Sequence, residues 1–152
     1  MGAAKPGAFR YDYPRPALTV DAVLVTREDR PHVLLIKRKG EPFAGTWALP
    51  GGFVDEGEKL AAAARRELEE ETGLKVGDLE QLYAAGDPGR DPRGWTVSVV
   101  FLARVDRKKL KPKAGDDAAE VGWFPLDAPP PMAFDHADLL ARARARLADR
   151  AA

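Results

Sequence analysis

Cysteine is absent from the 152-residue sequence, and histidine occurs only twice, as His32 and His136. Without cysteine the chain cannot carry a disulfide framework, a thiolate metal site or a cysteine nucleophile. No apolar run approaches about 20 residues, so no membrane span is expected. Residues 1–10 lack the apolar core of a secretory signal peptide. These absences favour a cytoplasmic protein.

A surplus of charge of either sign is also missing. The sequence has 24 basic and 24 acidic side chains and a formal net charge of zero. Because nucleic acids and anionic membranes attract proteins through excess positive charge, neither is expected as a partner. Hydrophobic residues make up 45% of the sequence and charged residues 32%, a balance typical of globular domains. The length suits one domain with a sizeable core.

The order of the predicted elements indicates a fold of the α/β class. Residues 1–17, rich in Ala, Gly and Pro, are interpreted as an N-terminal arm, and residues 18–150 as a single domain. The patterns predict strands at 18–26, 32–38, 78–85, 95–105 and 120–125, and helices at about 58–72 and 134–150, the second capped by Asp135. The first two strands are expected to pair as a hairpin. Since strands and helices do not alternate strictly, we predict a mixed sheet with helices on both faces.

Three carboxylates at helical spacing are the most informative feature of the first predicted helix. Glu67, Glu70 and Glu71 stand at i, i+3 and i+4, so they project to one side of the helix. Glu67 and Glu71 fall on or beside its apolar stripe, which should face the protein body. Unpaired charge there is costly, and a hard cation such as Mg²⁺ or Mn²⁺ would neutralise it. Arg66, four residues before Glu70, can hold that side chain in place.

The residues around these carboxylates resemble the Nudix box at all of its fixed positions. The matching pattern is Gly52-x5-Glu58-x7-Arg66-Glu67-Leu68-x-Glu70-Glu71-x-Gly73-Leu74. The resemblance implies a Nudix-type α/β/α sandwich with a mixed β-sheet and Mg²⁺-dependent cleavage of a nucleoside diphosphate derivative, with Mn²⁺ as an alternative metal.

The same resemblance implies roles for individual residues. It implies that Glu70 and Glu71 bind metal, that Glu67 binds metal or helps to activate water, and that the carbonyl of Gly52 is a further ligand. Arg66, together with Glu58, would support the catalytic carboxylates.

The general base is left open by the sequence. In many Nudix relatives a carboxylate from a loop of the second half does this work, and the candidates here are Asp116, Asp117 and Glu120. For Asp116 and Asp117 the interpretation as solvated loop residues is favoured over a catalytic one. Glu67 is the alternative base within the box.

Segments outside the box resemble small prokaryotic ADP-ribose pyrophosphatases and nucleoside diphosphate sugar hydrolases. The segments are 86–98, 114–118 and 133–136, and Pro88 stands near the proline that such enzymes carry about fifteen residues after the box. Arg90 and Arg93 are interpreted as phosphate-binding residues or as solvated loop arginines. Phe53, in a stretch common in the family, is predicted to contact the substrate.

Aromatic side chains supply further candidates for stacking on a nucleobase. Tyr13, with Tyr11, lies on the arm and could complete a site in a partner subunit, so a homodimer is one interpretation. Trp47 and Phe134 are expected in the core instead.

The sequence therefore predicts a pyrophosphohydrolase acting on a small nucleotide, ADP-ribose or a related sugar nucleotide, to give a nucleoside monophosphate and a sugar phosphate. One alternative is a pyrophosphatase of nucleoside triphosphates or oxidised nucleotides. Another is a non-catalytic nucleotide sensor, as in some transcriptional repressors. The sensor is less favoured because all box carboxylates are present and because the chain ends at Ala152.

Overall fold

A computed structural model describes residues 9–115 and 117–151 of the chain. Within them the strands are β1 (Ala17–Thr26), β2 (His32–Arg38), β3 (Trp47–Ala48), β4 (Gly51–Phe53), β5 (Glu80–Ala85), β6 (Thr96–Val105) and β7 (Ala118–Pro125). The α-helices are α1 (Leu60–Thr72) and α2 (His136–Ala151), and a single 3₁₀ turn covers Arg107–Lys109. None of the described helices is long and apolar enough to cross a bilayer.

Strand β1 organises the mixed sheet because both of its edges are paired. One edge runs parallel to β6 from Ala17↔Thr96 to Thr26↔Val105. The other edge is divided: its first half pairs antiparallel with β4, and Val25 near its end pairs antiparallel with Val33 of β2, as the predicted hairpin requires. β2 and β4 therefore diverge, and the cleft that contains the candidate site opens between them.

Alternation along β1 sends successive side chains to two separate cores. Val23 and Val25 pack in a core with Leu139 and Leu140 of α2. Val20 packs with Ala63 and Ala64 of α1, and Leu24 packs with Leu68 of the same helix. Full burial of each such leucine contributes about 1.5–3 kcal/mol. The predicted α/β/α sandwich with a mixed sheet is confirmed.

The ends of α1 show which local predictions hold. Gly73, with φ of 72°, donates its N–H to the carbonyl of Glu69 and ends the helix as a left-handed residue. The helix begins at Leu60 and not near residue 58, because the Glu58 carboxylate accepts the N–H of Asp55 within the preceding turn.

The start of α2 also differs from the prediction. The helix begins at His136, since Phe134 has φ of 53° and cannot belong to a helix. Asp135 does not serve as the predicted side-chain cap, because its carboxylate binds Arg90. Most of the predicted arm, residues 1–8, lies outside the described part of the chain, and residues 9–16 form neither helix nor strand.

Candidate active site

The three glutamates of α1 differ strongly in their environments. Glu71 is 9% exposed, Glu67 is half-buried and Glu70 is exposed. This order follows the helical wheel, on which Glu71 and Glu67 lie nearest to the apolar stripe and Glu70 at its border. Burial makes the charged form of a carboxylate costly, so the first two need partners more than the third.

Arg66 is the cation that several of these carboxylates share. Its Nε and Nη2 donate to the two oxygens of Glu58 at 2.8 and 2.9 Å. Its Nη1 donates to Glu67 at 2.8 Å and to Glu70 at 3.2 Å, and Nη2 also reaches the carbonyl of Phe53 at 3.0 Å. The hydrogen bonds to Glu58 are the main reason that the pKa of Arg66 is raised. One guanidinium therefore joins the turn before α1, the helix and the end of β4.

Glu71 has no part in the Arg66 cluster. Its Oε2 accepts the N–H of Gly51 at 2.9 Å. Burial raises the pKa of Glu71 to about 8, the bond from Gly51 opposes this shift, and the nearby carboxylates of Glu67 and Asp21 add to it. Burial also raises the pKa of Glu67, against the influence of Arg66. Glu71 is thus a buried acid that keeps its proton up to about pH 8 unless a cation binds beside it.

Gly52 lies against Glu67, and this closeness is a reason for glycine at that position. A Cβ at residue 52 would come within 2.5 Å of the Glu67 carboxyl carbon. We expect Gly52→Ala to push the Glu67 carboxylate aside and to reduce turnover roughly 10²-fold, the order of loss caused by misplacing a catalytic group by about 1 Å. Unfolding should change little, because the end of a flexible side chain can move.

The control for that substitution is Gly77→Ala, since a Cβ at residue 77 meets nothing within 4 Å. Kinetics and thermal unfolding of both variants provide the measurement. Equal turnover of the two variants would show that the contact between residue 52 and Glu67 has no functional weight.

The donor set suits a hard divalent cation. Among the described residues, no three histidine or acidic side chains converge closely enough to hold an ion as they are placed. The reason is that Glu67 and Glu70 turn toward Arg66, which neutralises them, while Glu71 stays apart. All three remain in the wall of one cleft, and Glu71 still needs a positive charge. The residues therefore fit a metal ion, and Glu71 is the carboxylate whose ionised form would gain most from its positive charge.

The cleft has a volume of about 650 Å³ and two contrasting walls. The acidic wall is formed by the α1 glutamates and by Asp21 and Asp55. A second group of lining side chains, which we call the cationic wall, is cationic and aromatic: Arg38, Lys39, Arg93, Phe53 and Phe134. Such a cleft can hold an anionic ligand that also has a flat ring.

Phe134 lies at the centre of the cationic wall. The guanidinium carbons of Arg38 and Arg93 are 4.9 and 5.1 Å from its ring centroid, and Phe43 packs edge-on at 4.8 Å. Arg38 is fixed by a 2.8 Å bond from Nε to the carbonyl of Pro42. Burial, followed by repulsion from Arg93, lowers the pKa of Arg38. Arg93 is already paired with a buried carboxylate, since its Nε and Nη2 donate to Asp91 at 3.1 and 2.8 Å.

The structure separates the four predicted substrate-binding residues. Arg93 and Phe53 line the cleft, and their side chains are 5.1 Å apart from guanidinium carbon to ring centroid. Arg90 also borders the cleft, but its side chain is only 7% exposed and binds both oxygens of Asp135 at 2.7 and 2.8 Å. Tyr13 is 79% exposed and is not among the lining residues.

The candidate bases are separated in a similar way. Glu120 does not line the cleft: it is exposed and pairs with Lys37, its register partner across β2 and β7, at 3.3 Å. Asp117 is exposed and lines the cleft. Asp116 lies outside the described residues. Glu67 is the lining carboxylate that belongs to the box.

Several residues of the cleft were not identified from the sequence. Arg38, Lys39 and Asp21 come from the strands that diverge around it. Phe134 packs against a buried cluster, as expected, and also lines the cleft, while Trp47 packs on the core against Phe124. The basic pair that ends β2, directly before Gly40, is the one signal in the sequence that could have indicated Arg38 and Lys39.

Comparison with known proteins adds to this geometry. The NUDIX domain profile matches residues 15–143. The chain is 47% identical over 130 residues to an ADP-ribose pyrophosphatase of Methanocaldococcus jannaschii, covering 84% of this chain and 73% of that protein.

Two further similarities concern a group of regulators. An ADPR responsive transcriptional repressor of Acinetobacter baylyi is 40% identical over 141 residues, covering 90% of this chain, which spans 56% of the repressor. The NUDIX domain of Shewanella oneidensis NrtR, solved in complex with ADP ribose, is 39% identical with a TM-score of 0.80, covering 95% of this chain and 94% of that one.

Nudix hydrolases generally need a divalent metal, in agreement with the carboxylates of the acidic wall, and the structure of one relative contains a manganese ion. The box, the sandwich and the profile match agree with one another. The chain therefore belongs to the Nudix hydrolase family.

Proposed function

We propose that the protein hydrolyses the diphosphate of ADP-ribose, or of a closely related sugar nucleotide, to a nucleoside monophosphate and a sugar phosphate. The observation that carries this proposal is the cleft, whose lining brings the box carboxylates together with arginine and phenylalanine side chains. The diphosphate of a sugar nucleotide carries two negative charges and has a nucleoside on one side and a sugar on the other. The similarity to proteins named for ADP-ribose supports the same substrate class.

We propose Mg²⁺ as the metal, held by Glu67, Glu70 and Glu71 with the carbonyl of Gly52. When bound, the ion would neutralise phosphate charge and make water a better nucleophile. This donor set suits Mg²⁺, because Mg²⁺ is usually bound by a few protein carboxylates together with phosphate oxygens of the substrate. Mn²⁺ has similar preferences and would replace it.

The protein side chains have separate tasks in this proposal. Glu67, half-buried and with a raised pKa, accepts a proton from the attacking water on its carboxylate oxygen. Arg66 donates to Glu67 and Glu70 and keeps both carboxylates at the wall of the cleft. Arg38 and Arg93 bind phosphate oxygens, and Phe53 and Phe134 stack on the base or cover the sugar. Arg90 orders its loop through Asp135, and Glu120 is not assigned a catalytic task.

A second function is favoured by a specific observation. The similarity to the ADPR responsive repressor extends over nine tenths of this chain, so we also consider a sensor that binds ADP-ribose without cleaving it. Both functions use the same cleft, and they differ in whether the diphosphate is cut.

A substrate panel tests the proposal. Purified protein with Mg²⁺ is given ADP-ribose, UDP- and GDP-sugars, dinucleoside polyphosphates and nucleoside triphosphates, and products are separated by chromatography. We expect AMP and ribose phosphate from ADP-ribose, at a rate at least about 10²-fold above that with triphosphates. Tight ADP-ribose binding by calorimetry without products would support the sensor. Cleavage of triphosphates alone would contradict the substrate assignment.

The cytoplasmic location, the homodimer and the absence of nucleic-acid and membrane partners stay predictions from the sequence. Phe9, Tyr11 and Tyr13 of the arm are exposed, which is compatible with a contact between two copies.

A further inference from the structure

His136 belongs to a buried polar chain in the wall of the cleft, outside the Nudix box. It is the first residue of α2 and is 5% exposed. The backbone N–H of Leu49 donates to its Nδ1 at 3.0 Å. Because Nδ1 accepts this bond, the proton of the neutral ring is on Nε2.

Asp21 and Ser98 orient the other side of the imidazole. Nε2 of His136 faces Oδ1 of Asp21 at 3.6 Å, an electrostatic contact longer than a direct hydrogen bond. The Ser98 hydroxyl donates to Oδ2 of the same aspartate. Asp21 and Ser98 are both buried. Burial lowers the pKa of His136 although Asp21 opposes this, which agrees with a neutral ring.

The segment held by His136 is also the segment that holds Glu71. Leu49 is two residues before Gly51, whose N–H donates to Glu71 Oε2 at 2.9 Å. Between them, the carbonyl of Pro50 accepts the N–H of Ala22 at 2.8 Å. The path from the imidazole to the carboxylate is therefore a short piece of hydrogen-bonded backbone.

That piece of backbone has little freedom to move. Gly51 is paired with Asp21 across β1 and β4. A Cβ at residue 51 would come within 2.2 Å of the Val20 carbonyl oxygen. Tight packing on this side means that a shift at Leu49 is transmitted to Gly51 and is not absorbed locally.

We propose that His136 is a positioning residue: oriented by Asp21, it holds the Leu49 N–H and thereby the Gly51 N–H that fixes the Glu71 carboxylate for metal binding. This inference rests on the proposed function in one respect, the role of Glu71 as a metal ligand. The link from His136 to Gly51 stands on the geometry alone.

Three substitutions separate the two contacts of the ring. His136→Asn places an oxygen near the position of Nδ1 and keeps an acceptor for Leu49. His136→Gln places an amide N–H near the position of Nε2 and keeps only the donor toward Asp21. His136→Leu removes both. The control is Leu140→Ala, a buried change in the cluster that also contains the Leu49 side chain; it lowers stability and leaves both contacts of the imidazole in place.

The first measurement is the dissociation constant of Mn²⁺ by electron paramagnetic resonance, without substrate and well below the unfolding temperature of each variant. We expect His136→Leu and His136→Gln to weaken binding about 10–100-fold, as loss of groups that orient metal ligands usually does. His136→Asn and Leu140→Ala should stay within about threefold of the unaltered protein on that scale. The inference would be overturned if His136→Asn weakened Mn²⁺ binding as much as His136→Leu does. It would also be overturned if Mn²⁺ affinity across the variants, Leu140→Ala included, simply followed their loss of folding stability.

The second measurement is amide hydrogen exchange of the metal-free protein. Exchange at Leu49 and Gly51 should be at least about tenfold faster in His136→Leu than in His136→Asn. Unchanged exchange at Gly51 would overturn the link. If the unaltered protein binds no Mn²⁺ while the exchange result appears as expected, the metal assignment in the proposed function is wrong and the positioning link is right.

Discussion

Glu71→Gln is expected to lower turnover strongly and, at the same time, to stabilise the metal-free protein at alkaline pH. Loss of a metal ligand should cost several kcal/mol of transition-state stabilisation, about 10²–10³-fold in rate. The gain in stability has a different cause. The glutamine amide fills the same buried space and can accept the Gly51 N–H, but it carries no charge.

The pH dependence of the stabilisation follows from the raised pKa. In the folded protein the pKa of Glu71 is about 8, against an ordinary value of 4.5. Between these values the unfolded chain releases the proton and the folded protein keeps it, so the free energy of unfolding falls as pH rises and becomes level above about pH 8. Glutamine does not titrate and avoids this loss.

Thermal unfolding in a metal chelator measures the effect. We expect the Glu71→Gln variant to unfold at least about 5 °C higher than the unaltered protein at pH 8.5, and at nearly the same temperature at pH 5. Glu69→Gln, on the exposed side of the same helix, is the control and should change neither value much. A temperature difference that is the same at both pH values would show that Glu71 is not an uncompensated buried acid.

Arg66→Met is expected to be the most destabilising single change in the site. It would leave Glu58, Glu67 and Glu70 without their shared cation. Since the guanidinium is partly exposed, we expect a loss of about 2–4 kcal/mol, somewhat less than for a fully buried ion pair. In a 152-residue protein this lowers the unfolding temperature by roughly 5–15 °C.

Metal should rescue part of that loss, because a divalent cation can neutralise the same carboxylates. Thermal unfolding with and without Mg²⁺ should therefore show a larger metal-induced rise for Arg66→Met than for the unaltered protein. Arg65→Met, one residue away, should cost no more than about 0.5 kcal/mol. Equal losses at positions 65 and 66 would mean that the cluster around Arg66 contributes little to stability.

The part of the site that lies on one helix could be predicted from the sequence. Helical periodicity correctly predicted that Glu67 and Glu71 are more buried than Glu70, and Gly73 predicted the end of α1. In both cases the information is local, since it depends on residues within two turns of the helix.

The part of the site that depends on long-range pairing could not be predicted in this way. Arg90 binds Asp135, 45 positions later, and Leu49 binds His136, 87 positions later. Glu120 illustrates the same difficulty within a strand. Alternation shows which residues share a face, but the partner Lys37 depends on the register between β7 and β2, which only the assembled sheet determines.

The arrangement around Arg66 also bears on how the chain matures. One guanidinium offsets part of the charge of Glu58, Glu67 and Glu70, and at neutral pH Glu71 is protonated, so the polypeptide itself lowers the repulsion among its acids. Small zinc domains, by contrast, remain unfolded until metal arrives. Here a newly synthesised chain can reach its native topology before it meets any metal. The choice of ion is then made by the finished protein, and it follows the free concentrations of the ions that the protein encounters.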